Sequence, residues 1–293
     1  RFNIELKGRE LLRLREKQWM NDSLMNAYLK IVQIHSEQEG ELDVFIHDTY
    51  FYSALYADEK KYNYSNVRRR TQRRERNLFE SDIVMFPIHV GGNHWILAFA
   101  LMKTRQLVLL DSLSKGASTG ISILENLQRY MDDEYYRVYR VEDTNGWAFG
   151  RLGHVPQQSN GSDCGIFVCA NALCLVCGVT LTHSQSDMSA FRKHILLSLY
   201  EERVHETFTS GTFDRVPVTL ELEVEENQDL VEIESEEDES DVEESDDESD
   251  VEESEESEEE EEQMDYTTLV RSLFLSMYNI LPSNKHINMY TES

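Results

Sequence analysis

A cysteine, a histidine and a carboxylate are present in this chain as the parts of a nucleophilic hydrolase. Cys164 lies between the turn-rich residues 159–163 and a long apolar run. His94 precedes this cysteine in the chain, and Asp111 lies between the two. In such a group the histidine takes the proton of the thiol, and the carboxylate orients the imidazole and stabilises its cation.

The apolar run that begins at Cys164 predicts a buried helix that ends before Gly178. A turn opening into this helix would put the sulfur of Cys164 at a helix N-terminus, where unpaired N–H groups and the helix dipole favour the thiolate. The other cysteines, Cys169, Cys174 and Cys177, are interpreted as small buried side chains. Cys174 and Cys177 have C-x-x-C spacing. Zinc or redox chemistry is only a weak alternative for them, because the chain has no second pair of cysteines with metal-ligand spacing.

Three apolar segments must position the histidine and the carboxylate. Residues 83–89, 95–102 and 107–110 are apolar at nearly every position, which is typical of central strands covered on both faces. The turn 91–93 would place His94 where a strand begins, and Asp111 would end the neighbouring strand. His89, in the preceding strand, is the competing candidate for the base.

The remaining pattern predicts helices packed around these strands. Helical spacing is found over residues 9–36, 118–131 and 188–200, residues 41–64 suggest a mixed helix and loop region, and residues 137–141 suggest a strand. Strands flanked by helices in this way indicate the α+β class.

Composition separates an ordinary domain from one very acidic segment. The chain has 293 residues, of which 40% are hydrophobic, enough for a substantial core. Residues 232–262 hold 22 acidic side chains, and removing them changes the net charge from −28 to −6. All four cysteines fall close together in the chain, so reduced thiols and an intracellular setting are expected. The sequence shows no membrane-spanning run and no signal peptide.

The acidic segment sets the expected domain boundaries. We expect a catalytic domain over residues 1–205, a connecting segment over 206–225, an acidic disordered tract over 226–263, and a C-terminal helix within 264–293 that docks on the catalytic domain. Disorder is expected over residues 221–262, because so few apolar residues cannot offset the chain entropy.

A basic cluster stands apart from these elements. The favoured interpretation of the cluster is a solvated helical face, and a surface for an acidic partner is the second choice. A nuclear import signal and a nucleic-acid patch are the further alternatives. No aromatic residues alternate with the arginines, so no nucleic-acid partner is expected. The cluster comprises Arg68, Arg69, Arg70, Arg73, Arg74 and Arg76.

Four segments together resemble the ubiquitin-like-protein-specific (SUMO or sentrin-specific) cysteine proteases, whose fold is shared with the adenovirus protease. The segments are Gln18–Asp22 (QWMND), Phe86–Trp95 with its P-I-H and H-W elements, Leu107–Ser112 ending in D-S, and Val155–Gly165 (VPQQSNGSDCG). They occur in the family's order within residues 9–205. The resemblance implies a papain-like, adenain-type fold with a central mixed sheet flanked by helices.

The resemblance also implies residue roles. Cys164 would be the nucleophile, His94 the base and Asp111 its orienting partner, with no metal and no cofactor. Gln158 would donate its side-chain amide to the oxyanion together with the Cys164 backbone N–H; Gln157 is its neighbour, and the family register favours Gln158.

Three further residues would contact the substrate. Trp19 and Trp95 would cover the Gly-Gly tail of a modifier, because only a tail without side chains fits between two indoles. Asp22 would meet a basic residue of the modifier, or would simply cap a helix.

The resulting hypothesis is a thiol isopeptidase of the nucleus, or of nucleus and cytoplasm, that acts as a monomer and binds no membrane. It would cleave after Gly-Gly of a SUMO-type modifier. A protease for another modifier such as NEDD8, an acetyltransferase of related fold, and a non-catalytic modifier-binding or acidic histone-chaperone-like protein are the alternatives.

Overall fold

A mixed six-stranded sheet forms the centre of the computed structural model, which describes residues 6–39, 42–56, 61–72, 77–113, 117–152, 154–205 and 222–224. The predicted α+β class with a central mixed sheet is confirmed. Apart from residues 222–224, the predicted connecting segment, the acidic tract and the C-terminal helix lie outside the described residues, as do Arg73, Arg74 and Arg76.

The strands lie side by side in the order in which they occur along the chain. Neighbours β1–β2 and β4–β5 pair in parallel, and the other neighbours pair antiparallel. The strands are β1 (Val44–Ile46), β2 (Ile83–Val90), β3 (His94–Leu101), β4 (Gln106–Leu110), β5 (Ala148–Leu152) and β6 (Leu222–Val224).

Both faces of the central strands are buried, as their continuous apolar sequences predict. Leu97 and Phe99 of β3 belong to one core, and Ile96 and Ala98 belong to the other, because successive side chains of a strand point to opposite faces. The first core includes residues of α2 (Asp22–Glu39), α6 (Cys164–Val176) and α7 (Met188–Glu201), and the second includes residues of α3 (Tyr50–Leu55) and α5 (Ala117–Tyr139). The chain also forms two short helices, α1 (Gly8–Leu11) and α4 (Arg68–Gln72).

The predicted strand over residues 137–141 is wrong, because α5 continues to Tyr139. The aromatic rings at the end of α5 pack at helical spacing. Tyr135 and Tyr139 have ring centroids 4.6 Å apart, and both rings contact Phe79. The helix ends where Arg140 takes a left-handed conformation at φ 60°.

The helix predicted over residues 9–36 is interrupted. After α1 comes a 3-10 turn, Leu12–Leu14, and then residues 15–21, which are neither helix nor strand, before α2 begins at Asp22. The carbonyls of Arg13, Arg15 and Gln18 in and after this turn accept hydrogen bonds from a buried arginine side chain.

Three strands escaped the sequence analysis. β1 has only three residues, β5 contains a glycine, and β6 lies in a stretch that was expected to be disordered. β6 pairs antiparallel with β5, so backbone hydrogen bonding orders these three residues where composition predicted none.

Candidate active site

His94 and Asp111 meet at one end of the sheet. His94 is the first residue of β3, and Asp111 directly follows β4, which pairs antiparallel with β3 through Leu97 and Leu110. The start of β3 and the end of β4 therefore lie together, and Nε2 of His94 is 2.7 Å from Oδ1 of Asp111. The same carboxylate oxygen accepts the backbone N–H of Leu113 at 2.8 Å, which fixes its position.

The turn before His94 depends on glycine. Gly91 and Gly92 both have positive φ, 59° and 73°, a region that other residues rarely adopt. The turn joins β2 to β3 in the register Val90 opposite His94, so the histidine occupies the first paired position of its strand.

The surroundings of His94 favour its cation. The hydrogen bond with Asp111 contributes most and the Cys164 thiol contributes next, and together they raise the pKa of His94 to about 9 against the opposing effect of burial. Nδ1 has no hydrogen bond of ordinary geometry among the described residues, although the Cys164 thiol is near enough to raise the pKa of the ring. Such contacts commonly tighten only once the substrate is bound.

Cys164 is the first residue of α6, as the sequence predicted. The residue is 6% exposed, whereas Cys169 and Cys174 deeper in the same helix are 0% exposed. Burial raises the pKa of the Cys169 and Cys174 thiols well above the ordinary value, so they stay protonated. Cys164 is therefore the cysteine of α6 that combines an edge position with a nearby base.

The C-x-x-C pair of α6 has no metal-site geometry. Cys174 lies 3.9 Å from Nδ1 of His183, and Cys177 lies 3.9 Å from Nε2 of His35, so the two sulfurs face different histidines. Among the described residues, no group of three or more potential ligands could hold a metal ion.

Gln158 lies in a fixed orientation beside the corner that holds Asp111. Its Nε2 donates to the carbonyl of Asn160 at 2.6 Å, and its Oε1 accepts the hydroxyl hydrogen of Ser112 at 2.7 Å. Its backbone N–H donates to the Ser112 carbonyl at 2.8 Å. Gln157 is exposed and directs its amide to the Asp111 carbonyl at 2.9 Å, so the two neighbouring glutamines have different partners.

The two predicted tail-covering tryptophans lie on connected segments. Trp95 is 5% exposed, and its indole N–H donates to the carbonyl of Met20 at 3.1 Å. Trp19 precedes that methionine and is 51% exposed. Gly165 lies against both segments, because a Cβ atom added to it would be 2.8 Å from Cβ of Met20 and 3.3 Å from Cδ1 of Trp95. The nucleophile candidate is thus adjacent to the contact between the two tryptophan segments.

Asp22 occupies the first turn of α2 but does not cap it. The cap is Asn21, whose Oδ1 accepts the backbone N–H of Leu24 at 3.2 Å. The Asp22 carboxylate has no hydrogen bond or ion pair within the described part of the chain, and its charge acts on the exposed Tyr50. The carboxylate is therefore available to a partner.

The competing base candidate, His89, faces a different group. Its ring packs on Trp95 with centroids 4.4 Å apart. His94 is the histidine that pairs with Asp111.

A buried ion pair behind Cys164 was missed by the sequence analysis. Arg192 of α7 is 1% exposed and bonds to the carboxylate of Asp163, the residue before the cysteine. Burial raises the pKa of Asp163, but hydrogen bonds from Arg192, Asn160 and Gln185 outweigh this effect and leave the pKa lowered. The same guanidinium also donates to the carbonyls of Arg13, Arg15, Gln18 and Ser162.

These contacts tie the segment that leads to Trp19 to the turn that leads to Cys164. No sequence signal marks Arg192, because an arginine in an amphipathic helix is ordinarily a surface residue. The sequence also contains no signal for the hydrogen bond from Ser112 to Gln158, because only the aspartate of the D-S pair had an expected function.

Several known proteins resemble this chain in sequence. The profile of the family described as "Ulp1 protease family, C-terminal catalytic domain" matches residues 18–207. Ubiquitin-like-specific protease ESD4 of Arabidopsis thaliana is 34% identical over 195 residues, which is 65% of this chain and 39% of that protein. Human Sentrin-specific protease 2 is 30% identical over 207 residues, 69% of this chain and 33% of that protein.

A solved structure gives the same result for the fold. The X-ray structure of the C-terminal Ulp1 protease domain in complex with Smt3, the yeast ortholog of SUMO, matches with a TM-score of 0.58 and 27% identity, over 68% of this chain and 84% of that one. The chain spans only part of the curated relatives that it matches, from 56% of the length of one to 28% of the length of another. With a family profile that covers well over half of its residues, the chain belongs to the Ulp1 family of cysteine proteases and carries the family's catalytic domain.

Proposed function

We propose that this protein is a thiol isopeptidase that cleaves after the C-terminal Gly-Gly of a SUMO-type modifier, releasing it from a lysine or trimming its precursor. The observation that carries the proposal is the His94–Asp111 pair, 2.7 Å apart, beside the Cys164 thiol at the start of α6. Family membership supports it, and one relative of known structure is described as bound to the yeast SUMO.

The reaction follows from these groups. His94, held by Asp111, takes the proton of the Cys164 thiol, and the thiolate attacks the carbonyl carbon of the last glycine. A C–S bond forms, and the carbonyl oxygen becomes an oxyanion. Collapse breaks the C–N bond while His94 returns the proton to the leaving amine. Water, deprotonated by His94, then hydrolyses the thioester and regenerates the thiol.

The oxyanion would have two donors. The backbone N–H of Cys164 is in the first turn of α6 and has no helical acceptor. The Nε2 of Gln158 has two hydrogens, and one of them is used by the Asn160 carbonyl. Removing one such donor typically lowers kcat by about 10²–10³-fold.

The preference for glycine follows from the crowding around Gly165. Met20, which follows the exposed Trp19, packs against the residue next to the nucleophile. A substrate residue with a side chain is expected to collide with this wall. Asp22 is proposed to bind a basic residue of the modifier.

The test is labelling with modifiers that carry a C-terminal electrophile. A SUMO-type probe should form one covalent adduct with the wild-type chain and none with Cys164→Ala, while Cys177→Ala should label like wild type. An adduct with the NEDD8 probe alone would replace SUMO by another modifier, and no adduct with any probe would refute the proposed activity.

A location in the nucleus, or in nucleus and cytoplasm, is part of this proposal. Among the described residues, no helix is long and apolar enough to cross a membrane. Deleting the acidic tract, residues 226–263, should leave cleavage of a modifier precursor unchanged. Loss of binding to basic proteins in the same variant would favour a chaperone-like role for the tract.

A further inference from the structure

The corner that follows β4 holds two neighbouring residues with different partners. Asp111 bonds to His94, and Ser112 bonds to Gln158. The Ser112 side chain is buried, with 3% of the residue exposed, and within the described residues its hydroxyl has the Gln158 side chain as its partner.

The hydrogen bonds fix which end of the Gln158 amide points where. The Asn160 carbonyl can only accept, so it must face the NH2 group of the amide. The carbonyl oxygen of the amide then faces Ser112, which must act as the donor at 2.7 Å. If the amide were flipped end for end, two acceptors, Oε1 and the Asn160 carbonyl, would face each other.

A second contact ties the backbone of the same residues together. The backbone N–H of Gln158 donates to the Ser112 carbonyl at 2.8 Å, so Ser112 holds both the main chain and the side chain of the glutamine. A shift of the corner would move the His94 partner and the amide donor together.

We propose that Ser112 is a positioning residue that keeps the Gln158 amide turned with its N–H hydrogens toward the developing oxyanion. This inference rests on the proposed function, in which Gln158 is the oxyanion donor. Without the hydroxyl, Oε1 loses its donor while the hydrogen bond to the Asn160 carbonyl stays. The amide can then pivot about that remaining bond, so that its second N–H hydrogen points away from the oxyanion for part of the time.

The experiment is a double-mutant cycle on a SUMO-type modifier with a C-terminal fluorogenic amide. Gln158→Ala should lower kcat by about 10²–10³-fold. Ser112→Ala should lower kcat by about tenfold with KM within twofold of wild type, because only part of the donor population is misdirected. In the Gln158→Ala background, Ser112→Ala should change kcat by less than twofold, since residues that act through one another are not additive.

Two further variants separate positioning from folding. Ser112→Thr keeps the hydroxyl and should restore at least half of the wild-type kcat. Ser81→Ala is the matched control, because Ser81 is also 3% exposed and its hydroxyl has no partner among the described residues. This control should leave kcat unchanged. Thermal unfolding of every variant identifies those that are not folded at the assay temperature.

An additive cycle, in which Ser112→Ala costs the same tenfold with or without Gln158, would overturn this proposal while leaving the proposed function intact. Failure of Ser112→Thr to recover activity in a folded protein would overturn it as well. A wild-type chain with no turnover, indistinguishable from Cys164→Ala, would refute both the proposed function and this inference.

Discussion

Replacing Arg192 by methionine should destabilise the domain more than any other single change to an ion pair described above. Arg192 is 1% exposed, and its partner Asp163 is 5% exposed. Deleting one member of a buried pair leaves the other charge uncompensated, which costs about 3–5 kcal/mol. Carbonyls of the segment before Trp19 would lose their donors at the same time.

The magnitude can be converted into a melting shift. For a domain of about 200 residues, each kcal/mol lowers Tm by about 2–4 °C, so Arg192→Met should lower Tm by about 6–20 °C. Arg192→Lys keeps the charge but offers three donors in place of five and should fall between Arg192→Met and wild type. Because the released segment carries Trp19, folded Arg192→Lys should also show a higher KM for the modifier.

The assay is urea unfolding at 25 °C and pH 7, read as the free energy of unfolding, with thermal scans alongside. Arg203→Met is the matched control, since Arg203 pairs with Glu201 at the end of the same helix but its side chain is 60% exposed. An exposed pair contributes about 0–1 kcal/mol. Equal losses in Arg192→Met and Arg203→Met would refute the argument that burial makes the first pair critical.

Three other outcomes follow from the site. Because the pKa of His94 is raised to about 9, its contribution to stability is complete below the unfolded pKa of about 6.5 and is lost as the pH rises through 9. After solvent screening, this loss should lower the free energy of unfolding by about 1–2 kcal/mol. Urea titrations from pH 6 to 10 should show this decrease in wild type and a smaller one in Asp111→Asn, and equal slopes would contradict the argument. Gly165→Ala should destabilise the fold by about 1–3 kcal/mol and lower kcat/KM, because the added Cβ would be 2.8 Å from Cβ of Met20. The control Gly161→Ala, which has open space around its Cβ, should unfold like wild type. A Gly165→Ala protein as stable as this control would show that Met20 can move aside. Asp22→Asn should raise KM for the modifier several-fold at low salt with kcat unchanged, and the increase in KM should become smaller as salt is added. A KM equal to that of wild type at every salt concentration would show that Asp22 does not bind the modifier.

The sequence predicted those parts of the fold that depend on local pattern. The apolar runs around β2, β3 and β4 identified the central strands, and the run from Cys164 identified α6 nearly to the residue. These elements are mostly buried, so their apolar sequences have a single interpretation. The proximity of His94 and Asp111 followed from a hairpin of ordinary geometry, although the roles of both residues stay predictions.

Features that depend on distant contacts could not be predicted in this way. β1 is very short and is defined by its pairing with β2, from which α3 and α4 separate it along the chain. The break in the first helical stretch exists because Arg192, in the last described helix, binds the carbonyls of that segment. The donor role of Ser112 depends on a hydrogen bond to a residue in a different segment, for which its own neighbourhood gives no signal.

The burial of α6 also determines how the protein can be quantified. All four cysteines of the chain lie in or next to this helix, and two of them, Cys169 and Cys174, are inaccessible and hold their protons tightly. A water-soluble alkylating reagent added to the native protein should therefore reach Cys164 and the half-buried Cys177 only. With Cys177→Ser, one reporter group per molecule would count competent enzyme directly, without denaturing the sample and without any substrate.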